Sequence, residues 1–97
     1  MKTVSLAKIE IDEKGWLRLY PVGAVYDFIY RAAAGVAWDK TGGFLHAHEL
    51  GDWTYSVYFK QIVSAVASEY GDVLQIKPET EWSKVADEVR RAIETTK

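Results

Sequence analysis

Both histidines of the chain lie in the stretch FLHAHELGDW at residues 44–53, where His46 and His48 are two positions apart. On a strand, such residues point to the same face, and two imidazoles at this spacing can converge on one metal ion. Glu49 and Asp52 follow closely, so carboxylates are at hand for a metal site or for acid–base catalysis. Because the chain has no third histidine and no cysteine, a metal site would need two histidines plus a carboxylate, or completion across a dimer. We favour the simpler hypothesis that both imidazoles lie on a partly exposed strand face.

No catalytic motif accompanies the histidines. The sequence contains no Gly-x-Ser-x-Gly motif, no P-loop and no Gly-x-Gly-x-x-Gly. The glycine pair in TGG, residues 41–43, is better explained as a hairpin turn. We therefore expect no enzymatic activity, no cofactor and no bound metal. The alternative is a small enzyme that uses His46 and His48 with Glu49 as acid–base groups or metal ligands.

A broader surface is expected beside the histidines. Trp16, Arg18 and Tyr20 alternate with two leucines, so a strand here turns the leucines to the core and the other three residues outward. If residues 44–48 join the same sheet, six outward side chains share one surface: Trp16, Arg18, Tyr20, Phe44, His46 and His48. Rings mixed with polar groups are typical of a small-molecule pocket wall or a partner interface. The alternative is that the rings only widen a small core and that Arg18 pairs with Glu10 across a hairpin.

Two hairpins must position these residues. Alternating apolar residues around the turn DEKG predict the first hairpin over residues 3–21, in which Gly15 can adopt the positive φ that such turns need. The glycine-containing turn DKTGG predicts the second hairpin over residues 36–48. A further short strand, DVLQIKP, is predicted at residues 72–78.

A first amphipathic helix is predicted over residues 24–35. Its apolar residues recur at the spacing of one helix face: Val25, Phe28, Ile29, Ala32 and Ala33. Tyr26 and Tyr30 fall off that stripe.

Two more helices are predicted in the second half of the chain. The longest begins at Trp53 after Asp52, a good N-cap, and ends at Gly71. The last runs from residue 79 to the C-terminus, with Thr80 or Ser83 as its expected cap.

The order ββαββαβα predicts one α+β domain over residues 1–97. Hairpins separated by helices imply a mostly antiparallel sheet of about five strands with three helices packed on it. A chain of 97 residues that is 48% hydrophobic and 13% aromatic can bury a core without disulfides.

Composition excludes several classes of function. Without cysteine the chain forms no disulfide, thiolate nucleophile or Cys-type zinc site. The first residues lack the apolar stretch of a secretory signal, and no run approaches the ~20 apolar residues of a membrane span. We therefore expect a cytoplasmic protein that does not enter membranes. The net charge of −2 with both signs interspersed argues against nucleic acid as a partner.

Four stretches carry a resemblance to known proteins: IDEKGWLRLYP, FIYRAAAGVAWD, DWTYSVYFKQI and ETEW, within residues 9–82. With these stretches the chain resembles a group of small bacterial proteins of the integron gene-cassette type, a group without an assigned activity. The resemblance implies a stand-alone cytoplasmic protein with an accessory role, and it brings no catalytic motif.

The leading functional hypothesis is a binding or protein-interaction domain that self-associates, as a homodimer. The high aromatic content and the mixed aromatic–polar strand face motivate it, with a small molecule or a protein as the expected ligand. A third hypothesis is a structural or immunity-type protein that binds a heterologous partner.

Overall fold

The computed structural model describes residues 2–33, 35–47 and 54–95. The strands are β1 (Lys2–Ile11), β2 (Leu17–Pro21), β3 (Val36–Asp39), β4 (Phe44–Ala47) and β5 (Asp72–Ser83). The helices are α1 (Tyr55–Tyr70) and α2 (Asp87–Glu94), with one 3₁₀ turn at Ile29–Arg31. The strands form one sheet in the order β3-β4-β2-β1-β5.

The α+β class and the five strands are confirmed, but the sheet is mixed. Three neighbouring strand pairs are antiparallel, whereas β5 lies parallel to β1 at the sheet edge. Hairpin signals define antiparallel neighbours only. Because β5 is reached through α1 rather than through a tight turn, no hairpin signal fixes its direction.

The predicted helix over residues 24–35 is wrong, since residues 24–33 and 35, the described part of this segment, contain only the 3₁₀ turn. Its buried side chains are Tyr26 and Ile29, while Val25 and Phe28 are more than half exposed. Tyr26, which falls off the apolar stripe of the predicted helix, is thus a core residue. The Tyr26 hydroxyl donates to Asp72 Oδ2 at 3.0 Å, and its ring packs edge-on against a tryptophan of β3 and a tyrosine of α1. These tertiary contacts outweigh the weak helical pattern of a segment too short to form a stable helix alone.

β5 is longer than predicted, and the last helix is correspondingly shorter. The strand continues through Pro78, which an edge strand tolerates, and its register against β1 shifts beyond Leu6. At the shift, the hydroxyl of Thr80 donates to the Leu6 carbonyl at 2.6 Å and accepts from the backbone N–H of Lys77 at 2.8 Å. Thr80 is 5% exposed, so it closes a strand irregularity instead of capping a helix. Ser83 is no cap either, because α2 begins after Ala86 without a side-chain cap.

The long helix α1 matches its prediction closely. Its buried side chains repeat at helical spacing: Tyr58, Phe59, Ile62, Ala65 and Val66. It ends, as predicted, at Gly71, whose φ of 72° is the left-handed conformation that glycine adopts readily. Its N-cap is Thr54, whose side chain accepts from the backbone N–H of Val57 at 3.4 Å. The predicted cap Asp52 and the helix start at Trp53 lie outside the described residues.

The core lies between the sheet and the two helices. Leucines of β2 and β4 meet apolar residues of β1, α1 and α2 there, and several are fully buried: Ile9, Leu19, Leu45, Ile62 and Ile93. Because these residues all point to one side, the alternate side chains of β1, β2 and β4 line the other face of the sheet. We call that other face the open face.

Candidate binding site on the open face

Pairing across the sheet brings the predicted surface residues together. Arg18 of β2 lies opposite His46 of β4 and opposite Glu10 of β1. Leu17 and Leu19 point to the core, so Trp16, Arg18 and Tyr20, which alternate with them, lie on the open face. The structure thus groups Trp16, Arg18, Tyr20, Phe44 and His46. The sixth predicted residue, His48, lies outside the described residues.

Arg18 is at the centre of this group. Its Nε lies 3.1 Å from Asp12 Oδ2 and its Nη1 lies 3.7 Å from Glu10 Oε1. The guanidinium carbon is 4.4 Å from the centre of the Phe44 ring, so the cation also covers that ring. The structural alternative to a binding role for Arg18 was an ion pair with Glu10, and this ion pair is present. Arg18 therefore organises the surface through two carboxylates and one ring.

The aromatic side chains of the cavity are one buried ring, Phe44, and one stacked pair, Trp16 and His46. Phe44 is only 6% exposed, and its ring packs so closely on Gly42 that a Cβ there would overlap it. The Phe44 ring is thus a buried part of the cavity wall, covered by Arg18. The Trp16 and His46 rings are nearly parallel, 6° apart, with centroids separated by 5.9 Å. The two rings are thus stacked, and we call this pair the platform.

A cavity of about 240 Å³ opens beside this platform. It is lined by side chains from the β1–β2 turn, β2, β3 and β4: Asp12, Glu13, Lys14, Trp16, Arg18, Asp39, Phe44 and His46. Asp12, Glu13, Lys14 and Asp39 were absent from the predicted set. Alternation along β1 and β3 could have found two of them, since Asp12 follows Glu10 by two positions and Asp39 follows the core-packed Trp38.

The β1–β2 turn, which carries Asp12, Glu13, Lys14 and Trp16, is held by hydrogen bonds within the turn and from α1. Asp12 Oδ1 accepts from the backbone N–H groups of Lys14 and Trp16, each at 2.9 Å. From the other side, the hydroxyl of Tyr55 in α1 donates to the Gly15 carbonyl at 2.9 Å. The predicted positive φ of Gly15 is present at 83°. The turn is therefore a fixed wall of the cavity.

The carboxyl groups of Asp12 and Asp39 differ in how many of their oxygens already accept hydrogen bonds. Burial raises the pKa of Asp12, but the backbone N–H groups of Trp16 and Lys14, and then the charge of Arg18, outweigh burial and leave the pKa below its usual 3.8. Asp12 is thus ionised and fully engaged. In contrast, Asp39 uses only Oδ1, which accepts from the backbone N–H of Gly42 at 2.9 Å. Among the described residues, its second oxygen has no hydrogen-bond donor.

The histidine chemistry considered from the sequence rests partly on residues outside the described ranges. Within residues 2–33, 35–47 and 54–95, no three His, Asp or Glu side chains are grouped as metal ligands. His48 and Glu49, which the acid–base and metal hypotheses require, lie outside those ranges. That alternative therefore stays a prediction.

The fold and the site together define an α+β protein with one helical layer, an open sheet face and a ring-lined cavity on that face. The chain belongs to the integron cassette protein Hfx_Cass5 family, whose family model matches residues 4–80. The resemblance to integron-cassette proteins is thereby confirmed. One solved structure, an integron cassette protein Hfx_Cass5 from the mobile metagenome of the North West Arm sewage outfall, is 35% identical. The match covers 96% of this chain and 93% of that one, with a TM-score of 0.50.

Two further comparisons bear on the class of protein. No curated protein matches the chain. In the part of the chain that the structure describes, neither helix has the length and apolar character needed to cross a membrane.

Proposed function

We propose that this protein is a non-enzymatic small-molecule-binding domain with an accessory role, and that its ligand is a compact organic cation. The observation that carries the proposal is the cavity beside the parallel Trp16 and His46 rings, with carboxylates around its rim. The face of an aromatic ring attracts a cation or a second ring, and carboxylates favour an ammonium group.

The charges around the cavity support a cationic ligand over an anionic one. Three carboxylates, those of Asp12, Glu13 and Asp39, line it against the two cations Lys14 and Arg18. Arg18 is already compensated by Asp12 and by Glu10. An anion would therefore meet an excess of negative charge, whereas an ammonium group could bind at the unused oxygen of Asp39.

The Trp16 ring already attracts one cation within the protein. The Lys14 ammonium lies 5.0 Å from the ring centroid, at the distance of a cation–π contact. Lys14 is exposed, so a ligand ammonium could replace it without removing a buried group from its partners.

The size of the cavity limits the ligand. Its volume is about 240 Å³. Drug-sized ligands occupy cavities of ~300–1,000 Å³, so we expect a small amine or quaternary ammonium compound.

Thermal unfolding in the presence of small amines tests the proposal. A ligand at one hundred times its dissociation constant adds about 2.7 kcal/mol to the free energy of unfolding, which for a domain of this size raises Tm by roughly ten degrees or more. The panel pairs each amine with a carboxylate of the same carbon skeleton. Stabilisation by an amine but not by its carboxylate partner is the expected result, and stabilisation by the carboxylates alone would overturn the cationic assignment.

Two variants locate the binding. Asp39→Asn keeps an oxygen for the Gly42 N–H but removes the charge, and Trp16→Phe shortens the platform. Each should weaken amine binding at least fivefold. Their controls are Glu79→Gln, an exposed carboxylate of β5, and Trp82→Phe, a ring on the helical side that contacts Arg90. If the controls weaken binding as much as the site variants do, the ligand binds elsewhere.

A further inference from the structure

We propose that Lys14 is a built-in competitor for the ligand and thereby determines which cations the cavity accepts. Its ammonium occupies the Trp16 ring in the free protein and has to leave before a ligand cation can bind there. This inference rests on the proposed function, because it concerns the same cavity. Lys14 is one of the residues that line the cavity, and its Nζ lies 5.0 Å from the centroid of the Trp16 ring.

The two cations of the cavity are held with very different strength. Arg18 is paired with two carboxylates and covers the Phe44 ring. Within residues 2–33, 35–47 and 54–95, Lys14 Nζ forms no ion pair and donates no side-chain hydrogen bond, although three carboxylates line the same cavity. A cation–π contact at an exposed site is weak. Lys14 is therefore the cation that a ligand can displace.

Only the side chain of Lys14 has to move. Its backbone N–H donates to Asp12 Oδ1 at 2.9 Å, and the next residue, Gly15, is tied to α1 through the Tyr55 hydroxyl at 2.9 Å. The turn thus stays in place when the ammonium swings away. Because Lys14 is exposed, this rotation takes the ammonium into water and gives up little more than its attraction to the ring.

The charges of the cavity require that another cation replaces Lys14. Three of the lining residues are carboxylates, and Lys14 and Arg18 are the cations among them. When Lys14 turns outward, the remaining cation, Arg18, is already compensated by Asp12 and Glu10. A ligand ammonium restores the balance, so binding is an exchange of one cation for another at the ring.

Such an exchange makes the site selective among cations. An amine that offers the ring no more than Lys14 does gains nothing by replacing it. A ligand gains if it also reaches the Asp39 carboxylate, of which Oδ1 accepts from the Gly42 N–H, or if it carries a quaternary ammonium group, which aromatic rings bind well. Lys14 thus sets a threshold that simple monovalent cations do not pass.

Calorimetric titration of the full chain with butylamine and with tetramethylammonium tests the proposal. Lys14→Ala clears the ring and should tighten binding about two- to fivefold, the equivalent of one exposed cation–π contact. Lys14→Arg keeps the charge, but a guanidinium stacks on aromatic rings more readily than an ammonium does, so this variant should bind both probes more weakly than the wild type. Melting without ligand verifies that both variants fold.

Lys40→Ala is the matched control, because Lys40 is exposed, directly follows Asp39 and does not line the cavity. It removes the same charge and should leave the affinity within about 1.5-fold of the wild type, since ~0.15 M salt screens exposed charges beyond ~8 Å. Equal tightening by Lys14→Ala and Lys40→Ala would overturn the proposal, and so would a Lys14→Arg variant that binds as tightly as the wild type. If Asp39→Asn still weakens binding in either case, the proposed function stands without this inference. If neither the wild type nor Lys14→Ala binds the probes, both fail.

NMR spectroscopy measures the ring contact independently of affinity. The ε-methylene protons of Lys14, identified by their absence in Lys14→Ala, should resonate upfield of those of Lys40 because the ring current of Trp16 shields them. Saturation with butylamine should move them to the position of the Lys40 protons. Protons that are not shifted in the free protein, or that stay shifted after saturation, would contradict the displacement of Lys14.

Discussion

Replacement of Asp12 with asparagine separates the charge of this side chain from its shape. In the wild type, Oδ1 accepts from the backbone N–H groups of Lys14 and Trp16, and Oδ2 accepts from Arg18 Nε. Asparagine keeps one oxygen and can still accept both backbone bonds. Its amide nitrogen, however, would point a second donor at the Arg18 donor, so the variant loses the bond to the guanidinium.

The cost of that loss follows from the exposure of the two partners. A hydrogen bond between charged groups contributes about 1.5–3 kcal/mol, and solvent screening lowers the value where a partner is partly exposed. The side chain of Asp12 is 8% exposed and that of Arg18 is 32% exposed. We therefore expect Asp12→Asn to lower the free energy of unfolding at neutral pH by about 1.5 kcal/mol, near the low end of the range.

The effect should depend on pH in a defined direction. Burial opposes ionisation of Asp12, but its backbone hydrogen bonds and Arg18 bring the folded-state pKa below 3.8. A carboxyl with a lowered folded pKa contributes stability above its unfolded pKa and loses that contribution as the pH falls through the folded value. The difference between wild type and variant should thus be equal at pH 7 and pH 5, and should shrink below pH 3.8.

Urea unfolding followed by tryptophan fluorescence at pH 7, 5 and 3 measures this difference. Glu13→Gln removes the same charge from the exposed neighbouring position and should change stability by less than about 0.5 kcal/mol. The reasoning is refuted if Asp12→Asn is as stable as the wild type at pH 7. It is also refuted if the two proteins differ by as much at pH 3 as at pH 7, since the loss would then not be ionic.

Two further substitutions test contacts that shape the fold. Thr80→Val removes a buried hydroxyl that makes two hydrogen bonds. It should lower the free energy of unfolding, measured in urea, by about 2–3 kcal/mol. The same change at the exposed Thr3 should be nearly neutral, and equal effects at the two positions would contradict the role of Thr80. Tyr26→Phe removes the hydrogen bond to Asp72 and should lower the free energy of unfolding by about 2 kcal/mol. Tyr70→Phe loses a more exposed hydrogen bond and should cost less than half of that. The reverse order would contradict the importance of the Tyr26–Asp72 contact.

Local pattern predicted the elements whose contacts are local. The spacing of apolar residues in α1, its stop at Gly71 and the two hairpin turns depend on residues near one another in sequence, and all three are present. The failures lie where a distant contact decides the structure. Tyr26 is buried because of Asp72, which is 46 positions away, and Thr80 is held by Leu6, which is 74 positions away. No periodicity within residues 24–35 or 79–97 contains that information.

The candidate site shows the same division. Alternation placed Trp16, Arg18 and Tyr20 opposite the core side of β2, and this grouping depends only on the period of a strand. The cavity walls depend on register between strands, which sets Arg18 level with Glu10 and His46. The sequence pattern did not fix the register between strands, and Asp12 and Asp39 were therefore missed. Alternation along β3 nevertheless places Asp39 on the open face, and the alternation of β1, continued by one residue, does the same for Asp12.

The open face is a poor surface for self-association, although its aromatic content suggested one. Each of three rings has a cation over it: Lys8 lies 4.6 Å from Tyr20, Lys14 lies 5.0 Å from Trp16 and Arg18 lies 4.4 Å from Phe44. A partner covering this face would have to desolvate those cations and the two carboxylates paired with Arg18. Burial of charged pairs often costs as much as their attraction returns. The charges that make the open face unfavourable for a second copy are the same ones that suit it to a small cation, since such a ligand can replace a lysine ammonium at the ring without burying the rest of the surface.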